Sequence, residues 1–400
     1  MRVTAAPHPP WRIVWALSVT QIVSWGSLFY AFSVLIAPIE HDTGWGRDTI
    51  VGAFSLSLLI AGIGTLPVGM LIDRFGGRLV MSIGSVLAAL LLIVVARTGS
   101  VAVFYWAWAG LGVAMAMLLY EPAFAVIYAT FAADARKGIT ALTLTAGFAS
   151  TVFWPLTQWL VSSFGWRDSV AVLGVANLLL CAPLHFLLLP SSAGTTSRGS
   201  SVTRHTGVLP RLLRSRVFWL LALSFTANML AFSALSVHLF PLLQERGLAA
   251  ADAVMLATLI GPMQVLGRIV EVTFGRRFRA VQVGLIALLL LPIAVACLAV
   301  AGSGWPLLIA FAVLYGASNG VMTIVRAVLA AELFGRESYG AINGALSAPV
   351  ILSRAVAPIA AALLWSATRG YGPVLWALVA LGLLSVAAFA VATFTRARAH

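Results

Sequence analysis

Four ionisable side chains, Arg268, Arg326, Arg354 and Glu121, fall inside apolar runs long enough to cross a lipid bilayer. A charge at the bilayer centre costs about 2.5–3.5 kcal/mol on insertion-based scales, so each implies a partner or a task. Arg268 follows Gln264 by four residues, which places both on one helical face, and Pro262 interrupts the backbone beside them. A guanidinium there offers a planar fork to a carboxylate. The alternative is structural: an arginine near its span end that snorkels or locks to Glu271. Arg354 lies mid-run with no acid within four residues, which makes it a second anion-site candidate. Arg326 sits nearer a span end, with Glu332 or Glu337 in reach, and reads as structural.

Glu121, followed by Pro122, is the one acid in the interior of the first half's spans, apart from the loop-end Asp73. Burial raises a carboxyl's proton affinity, which suits a proton carrier, while an ion pair with an arginine of another helix is the alternative. His238 is a second proton-coupling candidate, although a lone histidine is more often a satisfied core residue. Gln21, Trp25 and Phe29 recur at i, i+4 and i+8, giving one polar-aromatic helical face that would line a cavity or pack against neighbours. Asn228, Tyr120 and Asn343 are similar lining candidates.

The elements that carry these residues follow from composition. A 400-residue chain that is 61% hydrophobic and 9% charged is an integral membrane protein. The hydrocarbon core is about 30 Å thick and a spanning helix takes about 20 residues. The runs are continuously apolar, unlike the roughly ten-residue alternating strands of a membrane barrel. Twelve helical spans are expected, at 13–38, 50–72, 79–97, 101–131, 138–163, 168–189, 217–243, 252–274, 280–301, 305–331, 339–365 and 371–394. The polar stretch 190–216 reads as a cytoplasmic linker between two six-helix halves, 1–189 and 217–400.

If the termini face the cytoplasm, 17 of the 25 basic residues fall in cytoplasmic segments and 5 in outer loops. That bias predicts a multi-pass protein of the cell inner (plasma) membrane with both termini inside. It accounts for the net charge of +13 without a nucleic-acid partner. A shift of 198 residues superposes Gly69, Asp73, Gly77 and Arg78 on Gly267, Glu271, Gly275 and Arg276, a faint internal repeat. Cys181 and Cys297 lie in apolar runs and form no metal or disulfide pattern. No nucleotide loop, metal-spaced histidine set or nucleophile elbow is present, so neither an enzyme nor a cofactor is expected.

The most informative string is Gly-Met-Leu-Ile-Asp-Arg-Phe-Gly-Gly-Arg at 69–78, a short charged turn between two spans. It resembles the loop between the second and third helices of the major facilitator superfamily. Gly69, Leu71, Asp73, Arg74, Gly76 and Arg78 match, and Gly77 replaces a usual basic residue. The string Gly-Pro-Met-Gln-Val-Leu-Gly-Arg at 261–268 resembles the eighth helix of monocarboxylate-transporter-like members. There an aspartate and an arginine four apart handle proton and carboxylate; Arg268 matches the arginine and Gln264 replaces the aspartate. Tyr128 to Gly138 resembles the start of that group's fifth helix, and Trp25-Gly26 falls at its first-helix signature without the acid. The fourth-helix arginine of many proton-coupled members is missing, with Trp106 and Trp108 in its place.

The resemblance implies an all-α fold of twelve transmembrane helices in two pseudo-symmetric halves, acting as a monomeric secondary transporter by alternating access. It implies a small organic anion as substrate, a monocarboxylate first, with protons as the coupling ion. Arg268, Gln264, Arg354, Trp25, Gln21, Asn228 and Tyr120 are then the substrate-binding candidates, Glu121 and His238 the proton-coupling ones. Gly69, Asp73, Arg74, Gly76, Arg78 and Glu271 are the gating candidates. A multidrug exporter with an aromatic cavity, and a transporter-fold sensor that binds solute without moving it, are the competing readings.

Overall fold

The computed structural model describes residues 11–131, 135–190, 214–274, 277–334 and 339–397, and its described elements are helical throughout. In hydrocarbon every backbone N–H and C=O must be satisfied internally, which continuous helices achieve. Ten stretches are long and apolar enough to cross a membrane: Trp11–Thr43, Arg47–Arg97, Val101–Phe131, Lys137–Leu188, Arg216–Glu245, Ala250–Glu271, Ala280–Val300, Trp305–Arg326, Ala345–Thr368 and Tyr371–Phe394. Two of them are double length. Arg47–Arg97 breaks at Gly76 (φ 80°, ψ 156°), and the stretch through 149–176 breaks at Gly165 (φ 77°, ψ 168°). Both conformations favour glycine, which lacks the Cβ that would clash.

The chain reverses at each break. Gly64 and Gly84, on opposite sides of Gly76, pack on Ala116 and Met117 respectively. Phe153 and Asn177, on opposite sides of Gly165, meet Gly26 and Ser27. Counted with these two reversals, the ten stretches give twelve candidate spans among the described residues, numbered below in chain order. Of the linker expected over 190–216, residues 191–213 lie outside the described residues, as does the Gly275–Arg276 part of the repeat. The side chains of Glu332, Glu337 and Asn343 lie outside them too.

One apolar cluster gathers the first six spans, with Leu17, Phe54, Leu111, Ile127 and Leu173 at its centre. Two others gather the last six, around Leu239, Leu291 and Phe311 and around Phe218, Leu288 and Phe389. Val34 and Trp154 of the first half belong to a cluster of the second, so the halves are packed together at that level.

Prolines inside spans free specific carbonyls, and other spans capture them. Pro122 cannot donate to the carbonyl of Leu118, which accepts instead from Gln21 Nε2 at 2.5 Å. Pro358 leaves the carbonyl of Arg354 free, and Ser233 Oγ donates to it at 2.9 Å. The first span is thereby tied to the fourth, and the seventh to the eleventh. Two π-helical segments, Gly26–Tyr30 and Asn177–Cys181, are joined by Asn177 Nδ2 donating to Ser27 Oγ at 2.8 Å. The ladder between the first and sixth spans continues with His185 Nε2 and Thr20 Oγ1 at 3.0 Å.

Candidate functional site

A small cavity of about 60 Å³ opens between the first, second and fourth spans and the eleventh. Its walls include Trp25, Phe29, Thr65, Glu121 and Arg354. It therefore holds one cation and one acid, carried by opposite halves of the chain. Among the described residues no ion pair joins them. The Arg354 guanidinium stands 6.0 Å from the Trp25 ring centroid, at the outer limit of a cation–π contact. Glu121 is exposed rather than desolvated, since the cavity gives water access to it.

The aromatic wall is continuous. Trp25 packs on Tyr120 (5.1 Å between centroids), on Phe29 (5.5 Å) and on Tyr30 (6.4 Å). Tyr30 leads on to Trp154 at 5.4 Å, and Trp154 to Phe240 of the second half at 5.6 Å. Trp25 Nε1 in this wall is buried with no partner among the described residues, and so is Asn228 Nδ2 of the seventh span. Buried donors left open cost free energy unless something accepts from them.

Arg268 is placed differently. Its Nη1 donates to the backbone carbonyl of Thr143 in the fifth span, and its Nε to Thr323 Oγ1 at 3.3 Å. Its guanidinium is thus spent on the protein, across the boundary between halves. Gln264 is buried beside it, where Gly316 lets the tenth span approach so closely that a Cβ there would stand 2.7 Å from the Ile260 carbonyl. Both arginines act electrostatically on Tyr30 and Tyr120, which lie between them.

Gln21 faces the fourth-span backbone, and its Oε1 is buried without a partner among the described residues. His238 is buried in the seventh span, away from the lining residues above. Its Nε2 meets the Pro358 carbonyl at 2.9 Å and its Nδ1 the Tyr371 hydroxyl at 2.7 Å. A carbonyl only accepts, so Nε2 carries the hydrogen and Nδ1 accepts from Tyr371.

At the hairpin, Asp73 and Arg74 are exposed, with Arg74 over the Phe75 ring at 5.0 Å. Arg78 donates to the Leu189 carbonyl at 2.9 Å, fastening the hairpin to the end of the sixth span. Gly69 is half-buried and meets no neighbour within 4 Å of a notional Cβ. Glu271 has an interaction partner and is half-buried.

Sequence reasoning missed a cluster at the opposite end of the bundle: Glu40, Arg47, Glu245, Trp365 and Tyr371. Arg47 counted only as an outer-loop charge, and its signal was nothing more than a cation beside tryptophans at span ends. It pairs with Glu40 at 2.7 Å and lies 4.0 Å over the Trp365 ring.

The sequence model of the Major Facilitator Superfamily matches residues 17–295. Monocarboxylate transporter 4 of Rattus norvegicus is 29% identical over 282 residues, covering 66% of this chain and 57% of the rat protein. The probable galactarate/D-glucarate transporter GudP of Bacillus subtilis is 27% identical over 180 residues, covering 42% of this chain and 38% of that protein. The chain thus matches only part of these relatives' length. A bacterial homologue of the human lysosomal transporter Spinster, solved inward-facing and unoccupied, superposes with a TM-score of 0.73 at 16% identity, covering 98% of both chains.

Proposed function

The chain belongs to the major facilitator superfamily, and on that premise we propose that it is a secondary transporter of a small organic anion, a monocarboxylate first, coupled to protons. One observation carries the reading: a cavity between the halves that presents a single guanidinium, Arg354, opposite a single carboxyl, Glu121. Substrate sites of repeat-built transporters lie between their repeats near the midplane.

Charge balance suggests the coupling. In the empty cavity the Glu121 carboxylate offsets Arg354. When a substrate carboxylate takes Arg354, protonating Glu121 returns the cavity to the same net charge, and the loaded carrier can reorient. Each anion then moves with one proton. Trp25 Nε1 and Asn228 Nδ2 supply further donors to the anion, and the Trp25–Tyr120 wall covers its apolar part. Arg268 acts one step away, by joining the fifth span to the eighth and tenth through Thr143 and Thr323. The halves 1–189 and 217–400 are the moving bodies, the linker 190–216 joins them, and the end bearing the termini faces the cytoplasm of a plasma-membrane protein. The names of the rat and Bacillus relatives, both denoting carboxylates, support the substrate class.

The test is uptake of labelled mono- and dicarboxylates into vesicles holding the purified protein, with and without a pH gradient. Gradient-driven accumulation of a monocarboxylate is expected. Uptake of uncharged aromatic compounds with no carboxylate transport would favour a drug exporter instead, and binding without translocation a sensor.

A further inference from the structure

At the end of the bundle away from the termini, the two halves meet through a cation set in an aromatic receptor. Arg47, at the start of the second span, is oriented by Glu40 of the first, with Nε to both carboxylate oxygens at 3.1 Å and Nη2 to Oε2 at 2.7 Å. Both belong to the first half. Its guanidinium lies 4.0 Å over the Trp365 ring and 5.8 Å over the Tyr371 ring, and Nη1 donates to the Tyr371 hydroxyl at 3.3 Å. Both rings belong to the second half.

The receptor is held by its own half. Glu245 accepts from Trp365 Nε1 at 2.6 Å and from the Tyr371 backbone N–H at 2.8 Å. His238 accepts from the Tyr371 hydroxyl, which leaves that oxygen's lone pairs to Arg47. Each half therefore contributes one acid, and each acid is spent within its own half. No ion pair of the cluster crosses the boundary. What crosses is a pair of cation–π contacts and one long hydrogen bond, each weak enough to make and break on each cycle.

We propose that Arg47 in the Trp365–Tyr371 receptor is a reversible latch that holds this end of the transporter shut. The internal ion pair keeps Arg47 charged and aimed when the latch opens, so release strands no bare charge. This inference needs two halves that move but does not depend on which solute fills the cavity. Arg47 touches none of the lining residues, so its failure and that of the anion reading are separable.

The experiment measures the opening directly. Nitroxides on Gly99→Cys and Ser303→Cys, in exposed far-end loops of opposite halves, report their separation by double electron–electron resonance in lipid nanodiscs. Cys297→Ser removes the partly accessible native thiol, and Cys181 is buried. Arg47→Gln and Trp365→Leu should each raise the long-distance to short-distance ratio by roughly 5- to 150-fold, the usual size of such couplings. Combining them should add little, because both remove one contact. Trp365→Phe keeps a ring and should shift the ratio least, which preserves a readout if Trp365→Leu does not fold. Unchanged distances in the folded single variants, or fully additive effects in the double, overturn the latch.

Discussion

Replacing Arg354 by alanine should remove most anion affinity while leaving the fold intact. The guanidinium faces the cavity, and its one aromatic neighbour stands 6.0 Å away, so its packing loss is small. A carboxylate held at about 4 Å gains about 4 kcal/mol at an effective dielectric near 20. Desolvation takes back part of that, and truncating one member of a hydrogen-bonded charge pair typically costs about 2–5 kcal/mol. Because Glu121 in the same cavity is exposed, water screens the site, and the lower part of the range applies. The expected loss is about 2–3 kcal/mol, or roughly 30- to 150-fold in affinity. Lysine keeps the charge but not the planar fork, so Arg354→Lys should lose about 1 kcal/mol, roughly fivefold. The assay is calorimetric or tryptophan-fluorescence binding to purified protein, with folding followed by thermal melting. A neutral amide analogue should bind weakly to the wild type and be little affected by either change. Equal carboxylate affinity in folded Arg354→Ala protein would falsify the anion site.

Glu121→Gln should abolish accumulation driven by a pH gradient yet preserve substrate exchange, which needs no net proton movement; accumulation that persists moves the proton site elsewhere. Asp73→Asn should slow transport in proteoliposomes without affecting membrane insertion, because the carboxylate is the lone acid of a hairpin bearing Arg74 and Arg78, and near-normal rates would reject a gating role. Gly76→Ala forces a Cβ into φ 80°, ψ 156° and should destabilise the protein by about 1–3 kcal/mol in thermal melts, with an unshifted melt refuting the strain.

Much of the fold was legible because lipid allows few solutions: long apolar runs must be helices, and Gly76 and Gly165 mark reversals that length alone demands. The site was legible only as a set of candidates. Arg268 and Arg354 are both arginines within apolar runs, and no spacing on their own helices tells them apart. The difference lies in what other spans present: a backbone carbonyl from Thr143 and the Thr323 hydroxyl for Arg268, open cavity for Arg354. Glu121 was expected to be desolvated, yet it faces the cavity, in the first turn of a new helical segment that begins at Tyr120 directly after the Leu119 break. The far-end cluster was invisible for a related reason. Arg47 and Trp365 are 318 positions apart, and cation–π geometry leaves no periodicity in either segment.

The prolines explain why the cavity charges can be held still while the halves move. Pro122 follows Glu121 directly, and Pro358 lies one turn beyond Arg354, so each charged residue sits where its helix has lost a hydrogen bond. An unbraced break there would let the side chain wander, and catalytic or binding geometry tolerates little of that. Gln21 and Ser233 restore the missing bonds, and each does so from within its own half: first span to fourth, seventh to eleventh. The braces therefore stiffen each half without tying the two together. The contacts that do cross at the far end are the weak ones, Arg47 on Trp365 and Tyr371. At this end, strong bonds inside the halves and weak bonds between them let reorientation break only the latter, whereas nearer the other end the halves are joined by the stronger, charge-assisted bond from Arg268 to the Thr143 carbonyl.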